Sequence, residues 1–169
     1  MIKINVKDYG TMTFELDWNN APNSCANFVE LARNGFYEGL IFHRIIKGFM
    51  IQGGWGLYKK RELDYSIKGE FRSNGVDNKL LHDRGVLSMA RTMVKDSATS
   101  QFFVMHQKAP HLDGEYAAFG KMLEGFDVLD KIAGLRTDGR DFPYNPPVIE
   151  SVEVIDEPVV EVQKIRPAK

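Results

Sequence analysis

The amino-acid sequence predicts a mainly β fold, an antiparallel barrel or sandwich accompanied by two helices, and three observations carry that prediction. Strand-like segments outnumber helical ones, they are short, and turn residues separate them; this pattern favours antiparallel sheets over a parallel α/β arrangement. At 169 residues with 43% hydrophobic side chains, the chain suits one domain with an ordinary core.

Taken in order, IKINVKDYGTMTFEL alternates apolar and polar residues around a turn at Asp8, Tyr9 and Gly10, which reads as a hairpin of two half-buried strands. NNAPNSCANFVELARNG reads as a helix. Asn20 is placed to cap it, Pro22 suits its first turn, Cys25, Phe28, Val29 and Ala32 recur on one face, and Gly35 supplies the stop. LIFHRIIKGFMIQGG is β-branched and aromatic and is interrupted by Gly48, so two short strands with a bend are expected. Residues 55–73 are irregular and charged. EGFDVLDKIAG predicts a second helix with Phe126, Leu129 and Ile132 on one face and Gly134 at its end, and VIESVEVI predicts a closing strand. The domain is expected to span residues 1–156. Residues 157–169, with two prolines and mixed charge, read as a tail lying on or off it.

With 22 basic against 23 acidic side chains, the net charge of −1 offers no global field for nucleic acid or an anionic membrane. The opening segment lacks the features of a signal peptide and no apolar run is long enough to span a bilayer, so a cytoplasmic location is expected. The one cysteine, Cys25, cannot form an internal disulfide and reads as core. The four histidines lack metal-ligand spacing, GGWG at residues 53–56 lacks the lysine of a phosphate loop, and KKR at residues 59–61 is isolated. No metal, cofactor or nucleic acid is therefore expected. His82 and His106 read as surface or hydrogen-bonding residues.

Two segments mix a cation, amides and large apolar groups: FHRIIKGFMIQGG (residues 42–54) and LSMARTMVKDSATSQFFVMHQKAPHLDGEYAAFG (residues 87–120). Side chains two apart on a strand share a face, so Arg44 and Ile46 are expected to oppose His43 and Ile45, and Gln101 and Phe103 to oppose Phe102 and Val104. Gly48 permits a bend bringing Phe49, Met50 and Gln52 toward Arg44.

Together, in this order and spacing, the two segments resemble the signature of the cyclophilin family, with the likeness extending over roughly residues 1–156 and running closest to single-domain bacterial members. The resemblance implies a closed eight-stranded antiparallel β-barrel capped by two α-helices and cofactor-free peptidyl-prolyl cis-trans isomerisation that assists protein folding. Carried over by position, it makes Arg44 the essential arginine and Gln52 its neighbour. It assigns the proline pocket to Phe49, Met50, Phe103 and Leu112, the grip on the substrate backbone to Ala90 and Arg91, and groove positions to Gln101, His111 and Tyr116. His43 falls beside the arginine with a structural role. The implied partners are proline-containing peptides and folding proteins, bound by a monomer. Three departures bear on function: His111 stands where many eukaryotic members have Trp and Tyr116 where they have His, which implies reduced affinity for cyclosporin-type inhibitors; Lys47 replaces a common proline; and Trp55 to Tyr65 replaces a glycine-rich stretch, which implies altered preference before proline, with acidic residues favoured. A proline-peptide binding or chaperone module with little turnover is the alternative function.

Overall fold

A computed structural model describes all 169 residues, Met1 to Lys169. Eight strands and two helices follow one another as β1 (Ile2–Val6), β2 (Gly10–Leu16), α1 (Pro22–Arg33), β3 (Phe42–Ile46), β4 (Met50–Gly53), β5 (Val86–Met89), β6 (Phe102–Met105), β7 (Ala118–Glu124), α2 (Phe126–Ala133) and β8 (Ile149–Val154). The strands form one sheet in the order β3-β4-β6-β5-β7-β2-β1-β8, antiparallel at every pairing. The sheet curls until its two ends meet: an Ile41–Val148 bridge, Gly39 N–H to the Ile149 carbonyl at 2.8 Å and Ile149 N–H to the Leu40 carbonyl at 2.7 Å join the segment preceding β3 to the start of β8. Curling in this way leaves little unpaired strand edge.

The apolar side chains separate into two clusters. A large one of 36 buried residues fills the interior, where α1 packs through Cys25, Phe28, Val29 and Ala32 and α2 through Leu129 and Ile132. A smaller one, containing Met50, Phe103, Met105 and Leu112, lies on the opposite face of the sheet. β6 shows why two clusters arise from one strand: Phe102 and Val104 join the interior while Phe103 and Met105 join the outer cluster, as the twofold alternation of a strand requires.

Two local expectations are corrected. Alternation fails in β3, because a register shift between Phe42 and Arg44 bulges His43 out of step; Phe42 and Ile45 both face the interior, and the His43 ring instead lies 5.4 Å from that of Trp55. Asn20 does not cap α1. Its amide is taken by Asp17 at 2.7 Å and by Lys79 N–H at 3.0 Å. The helix N-terminus is closed by a carboxylate from 46 residues away: Glu70, buried, accepts Ser24 N–H and the Ser24 hydroxyl, each at 2.6 Å, and Asn23 N–H at 3.2 Å.

Residues 157–169 lie against the body. Val162 is buried in the interior cluster, Ile165 exchanges both main-chain hydrogen bonds with Ser66, and Asn23 and Gln163 bond each other twice. No helix is long and apolar enough to cross a membrane.

Candidate active site

The β3–β4 hairpin sets the centre of the site. Gly48, at φ +82°, turns the chain, and the resulting register places Arg44 opposite Gln52, which in turn lies opposite Phe103 on β6. A cation, an amide and an aromatic ring thus stand in one row across three strands. The row is tied together: Arg44 Nη1 donates to Gln52 Oε1 at 3.2 Å and Gln52 Nε2 to Gln101 Oε1 at 2.9 Å. Arg44 is exposed and points from the sheet over a cavity of about 700 Å³.

The floor of that cavity is the outer apolar cluster, with Met50, Phe103 and Leu112 no more than 7% exposed. Phe103 is held on both sides, stacked on His82 with ring centroids 6.0 Å apart and meeting Tyr116 edge-on at 5.8 Å. A short turn of helix at Pro110–Leu112 presents His111 and Leu112, and the His111 ring stacks on Phe49 at 5.8 Å. The facing wall is Ala90 and Arg91. The Arg91 guanidinium lies between the rings of Phe71 and Tyr116, 4.9 and 4.6 Å from their centroids, and donates twice to the Glu115 carbonyl. Its own main-chain N–H makes no hydrogen bond within the chain and is free to donate.

Ten of the twelve expected residues line this one cavity: Arg44, Phe49, Met50, Gln52, Ala90, Arg91, Phe103, His111, Leu112 and Tyr116. Gln101 lies behind Gln52 in a side cleft that it shares with Ser97 and Thr99. His43 does not reach the cavity; burial, and then the neighbouring Arg44 cation, push its pKa down to about 4, so the ring is neutral.

Met93, Lys95 and Glu115 also line the cavity, and no strand or helix periodicity marks them because all three lie in loops. The segment from Trp55 to Tyr65 contributes nothing to the lining; it borders a shallow hollow with Thr99, Ser100 and Gln101. His82 and His106 are hydrogen-bonded, as expected, but buried rather than on the surface. His82 spans Ser88 Oγ at 2.8 Å and Asp113 Oδ1 at 3.1 Å, burial lowers its pKa, and it forms the backing of Phe103.

The family model that matches the chain, over residues 1–154, is described as cyclophilin type peptidyl-prolyl cis-trans isomerase. Peptidyl-prolyl cis-trans isomerase A of Dickeya dadantii is 42% identical over 157 residues, covering 86% of this chain and 80% of that protein. A peptidyl-prolyl cis-trans isomerase of Acinetobacter baylyi is 42% identical over 168 residues, covering 95% and 84%. Peptidyl-prolyl cis-trans isomerase-like 2 of Rhizopus delemar is 41% identical across 94% of this chain, which spans only 30% of that longer relative. Among solved structures, a cyclophilin type isomerase of Cryptosporidium parvum, crystallised in the presence of the dipeptide Ala-Pro, superposes with a TM-score of 0.81 at 32% identity and covers 92% of this chain and 99% of its own. The curled eight-stranded sheet with two helices, the row Arg44–Gln52–Phe103 beside an apolar cavity and these likenesses agree: the chain belongs to the cyclophilin-type peptidyl-prolyl cis-trans isomerase family.

Proposed function

We propose that this chain accelerates cis-trans isomerisation of X-Pro bonds in peptides and folding proteins, with Arg44 as the catalytic cation and Phe49, Met50, Phe103 and Leu112 as the proline pocket. One observation carries the reading: Arg44, steered by Gln52, opens onto the same apolar cavity as those four side chains. The Ala-Pro dipeptide used with the Cryptosporidium relative supports proline as the recognised residue.

Rotation about a peptide bond is slow because resonance stiffens it, with a barrier of about 18–20 kcal/mol. Before proline the two isomers differ little in energy, so only the barrier needs lowering. In the twisted state resonance is lost and the prolyl nitrogen becomes pyramidal and basic. A guanidinium beside it stabilises that lone pair more than it stabilises the planar ground state, and Arg44 does this without giving up a proton. On the other side of the rotating bond, the free Arg91 N–H is available to hold the carbonyl while the prolyl half turns. A gain of about 10⁴ to 10⁵ corresponds to roughly 5–7 kcal/mol. One preorganised charged donor supplies about 3–4 kcal/mol of that, and exclusion of water by the apolar floor supplies the rest.

The proposal extends to a monomer acting in the cytoplasm, with a domain of residues 1–156 and residues 157–169 as a strap across α1. Replacement of an indole by the smaller His111 ring removes apolar contact area and shifts the position of the ring N–H, so cyclosporin-type inhibitors bind weakly. The test is turnover of a short X-Pro peptide: Arg44→Ala, at an exposed position, lowers kcat/KM at least tenfold with the circular dichroism spectrum unchanged. Undiminished turnover overturns Arg44's role, and peptide binding without turnover in the unaltered protein identifies a binding module instead.

A further inference from the structure

The turn that brings Phe49 into the groove is fastened from behind by a side chain that the reaction does not use. His106, the residue after β6, is buried. Its Nδ1 accepts Gly48 N–H at 2.8 Å, its Nε2 meets Asp130 Oδ1 at 3.0 Å, and its main-chain N–H donates to the Phe49 carbonyl at 2.8 Å. Asp130, on α2, is gripped by both arms of the Arg84 guanidinium at 2.8 and 3.0 Å, and Arg84 also donates to the His106 carbonyl at 3.0 Å. The β3–β4 turn, the end of β6, the loop before β5 and α2 therefore meet at one imidazole.

The geometry fixes where its proton lies. A main-chain amide can only donate, so Nδ1 must be the bare nitrogen and the single ring proton sits on Nε2, donated to Asp130. A second proton on Nδ1 would set two N–H groups head to head across 2.8 Å and push the Gly48 amide away. We infer that His106 is a positioning residue for isomerisation: its neutral, Nε2-protonated ring holds Gly48, and through Gly48 the Phe49 wall of the proline pocket, while proton uptake releases the turn. This rests on the isomerase reading of the groove. Two charges face the ring from the packed elements, Asp130 favouring a cation and Arg84 opposing it; the turn adds the exposed Lys47 one residue from the contact, and α2 adds Lys131 beside Asp130.

The experiment measures kcat/KM on an X-Pro peptide from pH 8 to pH 5 for the unaltered protein, His106→Asn and His106→Leu, with Arg44→Ala as control. Asparagine places an amide oxygen close to the position of Nδ1 and does not titrate. The unaltered protein loses activity on the order of three- to tenfold between pH 8 and pH 5, mainly through KM. His106→Asn restores the contact and flattens that decline. His106→Leu is reduced by a similar factor at every pH. His111 lies in the groove and acts alike in all three, so the difference between profiles is the readout. Superimposable profiles for the unaltered protein and His106→Asn overturn the inference, and if His106→Leu does not fold that comparison decides alone. Should the unaltered protein show no turnover at any pH, the isomerase reading falls and this inference with it; should the unaltered protein turn over while both His106 variants track it across the pH range, only the role of His106 is lost.

Discussion

Replacing Glu70 by alanine tests the long-range capping of α1. The carboxylate is 6% exposed and accepts the first-turn N–H groups of Asn23 and Ser24 together with the Ser24 hydroxyl. Those amides have no partner within the helix. Asn23 is half-buried and can recruit water once the carboxylate is gone, but Ser24 is fully buried and cannot. The loss is therefore two buried hydrogen bonds to a charged acceptor, from the Ser24 N–H and hydroxyl, about 1.5–3 kcal/mol each, plus the interaction of a negative charge with the helix N-terminus, about 0.3–1 kcal/mol. A total of about 3–7 kcal/mol lowers the Tm of a domain this size by roughly 6–28 °C. Glu70→Gln keeps an oxygen acceptor without the charge and should fall by about half as much. Thermal unfolding followed by circular dichroism measures both. An alanine variant melting within about 2 °C of the unaltered protein refutes the capping argument, because no other group is in place to satisfy Ser24.

His43 gives a pH dependence of definite sign. Its folded pKa, about 4, lies below the ordinary 6.5, so between these values the unfolded chain binds the proton and the folded chain does not; stability is full above about pH 6.5 and is lost progressively down to about pH 4, by on the order of 3 kcal/mol. His43→Phe, which keeps a ring against Trp55, should flatten the Tm-against-pH curve over that window; an unchanged slope excludes His43 as its source. In a cyclosporin titration, His111→Trp should lower the inhibition constant about tenfold by adding the larger indole surface and placing its N–H farther into the groove, and equal inhibition would show that this position does not set inhibitor affinity. Met93 lines the cavity at 95% exposure, so Met93→Ala should reduce kcat/KM about two- to fivefold for peptides with a large apolar residue before proline and leave a Gly-Pro peptide unaffected; a uniform change across the panel would argue for a purely local effect.

Much of the fold was legible because the sheet is built from strands with one face inward. In GTMTFEL the alternate residues Met12, Phe14 and Leu16 all join the interior cluster, although Thr13 between them is buried as well, and the alternation in SQFFV assigns Phe102 and Phe103 to opposite clusters without any tertiary information. What stayed illegible depended on contacts between distant segments. The bulge at His43 arises from pairing with β4, which the order of residues in FHRII does not encode. The cap of α1 comes from Glu70, which has no local signature, whereas Asn20 has the right chemistry but is occupied by Asp17 and Lys79. The course of the last residues turns on Val162, the one side chain of the segment that joins the interior cluster, which nothing local sets apart from Val159 and Val160. In the site, the row from Arg44 to Phe103 followed from two short motifs. Met93, Lys95 and Glu115 were invisible because loops bring them to the cavity, and His106 gave only the bland signal of a polar residue after a strand.

The separation of the apolar side chains into two clusters has a practical corollary for altering this molecule. The seven buried residues beneath the groove touch a reservoir distinct from the 36 that hold the interior, and neighbouring positions on one strand draw on different reservoirs. A library varied at 50, 103, 105 and 112 would reshape client choice while drawing only on the smaller one, whereas the same diversity moved one position along the strand, to 51, 102 and 104, would be spent on folding. Selectivity and robustness can thus be tuned by separate sets of side chains that interleave residue by residue.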